Sequence, residues 1–237
     1  MDKRLVAASL AAVVIASSQS ATAFAQNVAD RTETAVTEAY KSGPDARLRY
    51  ARELFEHGMY VKAREIFSGY PHDMTASGYA VLCDVKMQSN GYETKLGKYI
   101  SEYPFSGMVP QLRFAHALNL FAADDYPSAS TEFAEVNVAG LYKNQLPEYT
   151  FKKAYSDFEI GLEEAARLGF MKVVGFPHND YQAPSCYSIG YIWYEREKFS
   201  QAQEWFEKSA KDQRFAEVSS YYIMECRFME KDYKYVT

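Results

Sequence analysis

The sequence predicts an all-α fold built from a repeated pair of helices. Residues 186–210 show the unit. Ile189, Ile192 and Trp193 recur at helical spacing, a tight turn falls at Glu195 to Lys198, and Ala202 and Phe206, four apart, share one face of a second helix. Counted from Phe199, the aromatic that opens this second helix, a small residue lies nine before (Gly190), an alanine three after (Ala202) and an aromatic seven after (Phe206). The same ruler fits elsewhere. Anchored on Tyr126 it finds Ala117, Ala129 and Phe133, and on Tyr60 it finds Ala51, Ala63 and Phe67. With Glu163 in the anchor place it finds Ala154, Ala166 and Phe170. Tyr92 yields a weaker copy with Cys83 and Tyr99 but Lys95 where alanine is expected, and Tyr233 opens a further copy. The anchors stand 32 to 37 residues apart, the period of a helical repeat array.

This pattern resembles the tetratricopeptide repeat family over about Asp45 to Thr237. The resemblance implies a right-handed α-solenoid of antiparallel helix pairs, with about five and a half repeats, the last incomplete. It implies a scaffold shared by many functions and names none of them.

The start of the chain is a separate object. Lys3 and Arg4 give a basic beginning, residues 5–15 are an apolar run, and Ala23-Phe24-Ala25 is a small-x-small cleavage site. This predicts a secretory signal peptide over 1–25, cut after Ala25, and an exported chain, periplasmic or secreted. The apolar run, about 11 residues, is shorter than the roughly 20 that span a bilayer. No direct membrane span is expected later in the chain. Residues 26–44 read as a polar leader broken at Ser42-Gly43-Pro44.

The repeat domain follows over 45–237. Its first pair of helices is expected at 47–57 and 61–68, with Gly58 between them. The second, at 76–89 and 93–102, turns at Asn90-Gly91 and is the least faithful to the ruler. The third, at 109–123 and 127–137, starts its second helix on Pro127, where a missing N–H does no harm. The fourth lies at 147–161 and 163–171, with Glu163 and Glu164 suited to a helix start. After a longer connection over 172–180, the fifth lies at 184–196 and 200–211, and a sixth begins at 215–231. That last segment is rich in apolar side chains (Tyr221, Tyr222, Ile223, Phe228, Met229), so it is expected to dock onto further repeats, a partner or a second copy.

The formal charge of −5, about −6 after removal of Asp2, Lys3 and Arg4, argues against nucleic acid as a partner. Cys83, Cys186 and Cys226 are an odd number, and Cys186 and Cys226 fall out of step on successive first helices. Three free thiols are the favoured reading.

No catalytic signature stands out. His57, His72, His116 and His178 have no histidine or cysteine at metal-ligand spacing, so no metal and no cofactor is expected. His178 and Asp180 in the long connection read as a solvated loop rather than an acid–base pair. An enzyme acting on carbohydrate would need two carboxylates across a groove, with Asp157 and Glu225 the nearest candidates.

The informative feature is aromatic. In the resembled family, the places twelve, eight and five before each anchor face a concave groove. Here they hold Phe114, Leu118 and Phe121, then Phe151, Tyr155 and Phe158, then Tyr187, Tyr191 and Tyr194, then Tyr221, Glu225 and Phe228. The first two repeats hold Leu48, Arg52 and Phe55, then Ala80, Asp84 and Met87. Exposed rings of this kind mark a binding surface, whereas a tight superhelix would bury the same rings in its own packing. The expectation is a non-enzymatic interaction scaffold taking a peptide or partner helix through these rings. The alternative is an assembly subunit, a fragment of a longer repeat protein, that docks through its C-terminal helix.

Overall fold

The computed structural model describes residues 43–230, and among these every regular element is helical. The signal-peptide expectation and the anchor Tyr233 lie outside the described residues. Among the described residues there are eleven α-helices: α1 Pro44–Glu56, α2 Tyr60–Ser68, α3 Met74–Lys86, α4 Tyr92–Glu102, α5 Val109–Ala122, α6 Tyr126–Ala134, α7 Leu146–Glu159, α8 Glu163–Val174, α9 Gln182–Glu195, α10 Phe199–Ser209 and α11 Ala216–Met229. Two single 3₁₀ turns, Val138–Gly140 and Lys143–Gln145, lie between α6 and α7 and carry no sequence signal that we read. The expected break at Gly43-Pro44 is instead the start of α1, with Pro44 at the position that has no N–H to lose.

All five anchors open a helix: Tyr60, Tyr92, Tyr126, Glu163 and Phe199 are the first residues of α2, α4, α6, α8 and α10. The turn before four of them is three residues long, and one residue in it turns left-handed, two before the anchor. These residues are Gly58, Asp124, Gly161 and Glu197, with φ of 75°, 57°, 84° and 55°. Each lets the chain return two hydrogen bonds to the helix it leaves. At Gly161, its own N–H bonds the Phe158 carbonyl and the Leu162 N–H bonds that of Asp157. The Glu197 and Lys198 N–H groups do the same to Tyr194 and Trp193. In the second pair this turn is made at Gln88, and Asn90-Gly91 are an insertion before α4.

The ruler marks the core. Ala51, Ala63, Ala117, Ala129, Ala154, Ala166 and Ala202 are all buried, as are Phe67, Phe133, Phe170 and Phe206. Small residues are needed because helices approach closely there. A Cβ added to Gly190 would lie 2.9 Å from the Phe206 ring, and one added to Gly169 would lie 2.7 Å from the Ala154 Cβ. Helices pack chiefly on their sequence neighbours.

The chain divides into two compact units, Met1–Asn119 and Leu120–Thr237. In the first, one cluster gathers Tyr50, Ala51, Leu54, Ala63, Phe67, Ala76 and Cys83, and another gathers Leu82, Val85, Tyr92, Leu96, Tyr99, Leu112 and Ala115. In the second, Phe206 stacks on Tyr222 at 5.0 Å and Tyr187 leans on Phe206, Phe215 and Tyr222. The three cysteines are buried free thiols. Burial pushes Cys83 and Cys226 up to about 12 and Cys186 up to about 11.

Candidate functional site

The aromatic places are not equally open. Those twelve before the anchor, Phe114, Phe151 and Tyr187, are buried, as are Tyr155 and Tyr191 eight before it. Phe151 packs on Phe170 and Tyr181, and Tyr191 meets Tyr222 edge-on at 5.9 Å. Five of the nine expected groove residues are thus buried, and four of them, Phe151, Tyr155, Tyr187 and Tyr191, meet rings of other helices. Tyr155 meets the preceding pair at Phe121 and Tyr126, whereas Tyr187 and Tyr191 meet the following helix at Tyr222. The places five before the anchor, at the ends of α5, α7 and α9, are different. Phe121, Phe158 and Tyr194 are half-buried, and Tyr221 on α11 is 38% exposed.

Within Leu120–Thr237 these rings form one row of contacts. Phe121, Tyr126 and Tyr155 meet mutually edge-on, each pair of centroids 5.6 Å apart. Phe158, on the same helix as Tyr155, meets Tyr191 at 6.1 Å. Tyr191, Tyr194 and Tyr221 all converge on Tyr222. Tyr222 is the hub that sequence reasoning missed. The anchor Tyr233 placed Tyr221 inward, but the buried stripe of α11 is Ser219, Tyr222 and Cys226. That stripe was readable as spacings of three and four.

Carboxylates accompany the row. The Tyr126 hydroxyl donates to Asp124 at 2.6 Å, and the Tyr194 and Tyr221 hydroxyls donate to the two oxygens of Glu225 at 3.0 and 3.1 Å. Burial, with Glu159 beside Tyr155 and Glu195 beside Tyr191, pushes those phenols well above their ordinary range. Burial and then Glu225 do the same to Tyr194. Among the described residues no lysine or arginine forms an ion pair with Asp124, Glu159, Glu195 or Glu225. Residues 120–237 carry 19 Asp and Glu against 13 Lys and Arg, a net charge of −6, whereas residues 1–119 carry 12 against 13.

In the first unit Phe55 meets Tyr60 and Tyr79 at 5.2 and 5.4 Å and Tyr79 stacks on Phe67, but charged residues hold the places eight before its anchors. Arg52 stands where Tyr155 and Tyr191 stand in the second unit, and its guanidinium lies 5.7 Å from the Tyr79 ring centroid. Asp84, in the same place one repeat on, is buried in ion pairs with Arg64 and Lys95, both at 2.7 Å. A cleft of about 490 Å³ beside this triad is lined by both charges, including Lys98 and Glu102.

The candidate acid–base groups are not brought together as a pair. Asp157 is buried and held by the Ser130 hydroxyl at 2.6 Å and Lys153 at 2.7 Å. Glu225 belongs to the tyrosine row. His178 and Asp180 are exposed on the connection after α8. Among the described residues no group of three or more His, Cys, Asp or Glu is placed to hold a metal ion, and no helix is long and apolar enough to cross a membrane. No family model matches the sequence, and no curated protein matches it.

Proposed function

We propose that residues 45–237 are a tetratricopeptide-like solenoid of about five and a half repeats, and that the chain works by binding rather than by catalysis. One observation carries this reading. The sequence ruler and the helix starts coincide at all five described anchors, and the alanine and phenylalanine places of the four faithful copies are buried. A repeat scaffold uses such places to stack its units and leaves other side chains for a partner. On this reading an exported, periplasmic or secreted chain takes an extended peptide or a partner helix along the half-buried row Phe121, Phe158, Tyr194 and Tyr221.

The test separates ring from core. A random peptide display library is panned on the full chain, and the enriched peptides are measured against Tyr194→Ala and Tyr191→Ala. Tyr194→Ala should lose binding while lowering the thermal midpoint less than Tyr191→Ala does, because its ring is only half-buried. Tyr191→Ala should lose about 3 kcal/mol of stability, as large-to-small changes of buried aromatics do. No enriched peptide, or peptides that bind Tyr194→Ala as well as the parent, would refute the reading.

A second reading, assembly through α11, is favoured by Met224 and Met229, each 50% exposed on that helix. Light scattering across a concentration series distinguishes it. A mass that rises with concentration supports assembly, and a constant monomer mass counts against it.

A further inference from the structure

Building on the peptide-binding reading, we infer that the partner segment is basic: an extended stretch of another protein rich in lysine or arginine, laid along the aromatic row of Leu120–Thr237 with its cations on Asp124, Glu159, Glu195 and Glu225. The rings supply the first half of the argument. Phe121, Phe158, Tyr194 and Tyr221 keep open area, and a cation over such a ring is attracted by its face. The row already performs this chemistry once with its own chain, because the Lys152 ammonium lies 5.4 Å from the Phe121 ring centroid.

Position and charge supply the second half. Glu159 and Glu195, both exposed, lie four residues after Tyr155 and Tyr191 and beside their phenols, which puts these two carboxylates on the face of the row. Tyrosine hydroxyls hold Asp124 and both oxygens of Glu225 in place. A hydroxyl orients a carboxylate without neutralising it, and none of the four is ion-paired among the described residues. Six acids off the row, Asp84, Glu148, Asp157, Glu163, Glu164 and Asp212, have basic partners. The four carboxylates left on the row, within a unit of net charge −6, fit a basic partner and repel both an acidic one and a second copy of this unit.

The experiment uses the full chain and three labelled peptides of equal length, one alternating lysine with serine, one alternating glutamate with serine, and one of glycine and serine alone. Fluorescence anisotropy should show binding of the lysine peptide only, weakening as salt is raised. Glu195→Gln/Glu225→Gln should weaken it by about tenfold or more, while Asp180→Asn/Glu204→Gln, which removes the same charge from exposed positions off the row, should leave it within about twofold. Equal loss in both double variants would overturn the proposal, because the attraction would then be diffuse. Spermine competing as well as the peptide, mole for mole, would also overturn it, by making the ligand a small cation. Display-selected peptides that need Tyr194 but carry no basic residues would overturn the charge argument and leave the peptide-binding reading standing. Absence of any peptide binding would overturn both.

Discussion

The two units each bury an aspartate on a first helix, and they neutralise it by different means. Asp84 in the first unit is clamped between Arg64 of α2 and Lys95 of α4, so one carboxylate ties three consecutive helices together. Asp157 in the second takes a hydroxyl from α6 and a lysine from its own helix. The difference follows from the ruler. Where Lys95 stands in the alanine place, α4 does not pack on a small side chain there and charge does the joining. Where Ala166 and Ala202 stand, helices close on each other and on a fully buried phenylalanine. Both units pack around buried rings and both carry ion pairs; the difference is that the first uses a buried carboxylate to join three helices, whereas in the second the carboxylates of the aromatic row have no basic partner among the described residues.

The packing side of this comparison carries the largest expected effect. Phe206 is fully buried, stacks on Tyr222, and lies against Gly190. Phe206→Ala should cost about 3–5 kcal/mol by loss of burial and by the cavity left behind. Trp193 and Trp205 both lie in the second unit, so urea unfolding followed by tryptophan fluorescence reads the loss where it occurs. A cost under about 1 kcal/mol would mean that the site collapses around the gap and that packing around Phe206 is not what holds this unit.

The charge side should be weaker and should depend on pH. Burial alone would raise the Asp84 carboxyl, but the hydrogen bonds and charges of Lys95 and Arg64 outweigh it and hold the group below its ordinary 3.8. A carboxyl lowered in the folded state contributes stability above its ordinary pKa and loses it as pH falls through the folded value. Asp84→Asn should therefore cost about 1–3 kcal/mol near neutral pH, and the gap to the parent should narrow below pH 3.8. The cost stays below that of a fully buried pair because the Arg64 and Lys95 side chains are 41% and 43% exposed and can turn to water. Far-UV circular dichroism melts of both chains across an acid series check this. A gap that stays constant into acid would show that shape, not charge, holds Asp84.

Most of the helical order was legible in the sequence because small and aromatic side chains recur at fixed offsets, and the same places that mark the period fill the core. Helix ends were legible to within a few residues at Gly58, Pro127 and Glu163, where backbone chemistry is written in residue type. The openness of the aromatic places was not. A ring five before the anchor and a ring eight before it share a helix face, and only the neighbouring helices decide which is covered. Phe158 and Tyr155 differ in this way, as do Tyr194 and Tyr191. Tyr222 was missed because the last anchor set the register one residue early. Asp84 was passed over because its partners Arg64 and Lys95 lie 20 residues before it and 11 after it, distances at which no local pattern speaks.

The smallest effect we expect tests the turn that both units share. Gly58 and Gly161 make it without strain, while Asp124 and Glu197 make it with a side chain crowding the backbone, at φ of 57° and 55°. Glu197→Gly should raise stability by up to about 1 kcal/mol, the relief of the left-handed conformation less the entropy that glycine adds to the unfolded chain. Gly161→Ala should lower it by a similar amount. Asp124→Gly should come out nearer to neutral, because the same relief there forfeits the 2.6 Å hydrogen bond from Tyr126. The three together measure what a side chain at this turn contributes apart from its backbone strain. If Glu197→Gly destabilises, then Glu197 makes a contribution that its exposed position and its turn geometry do not account for, and the equivalence of the four turns would fail at the one nearest the tyrosine row.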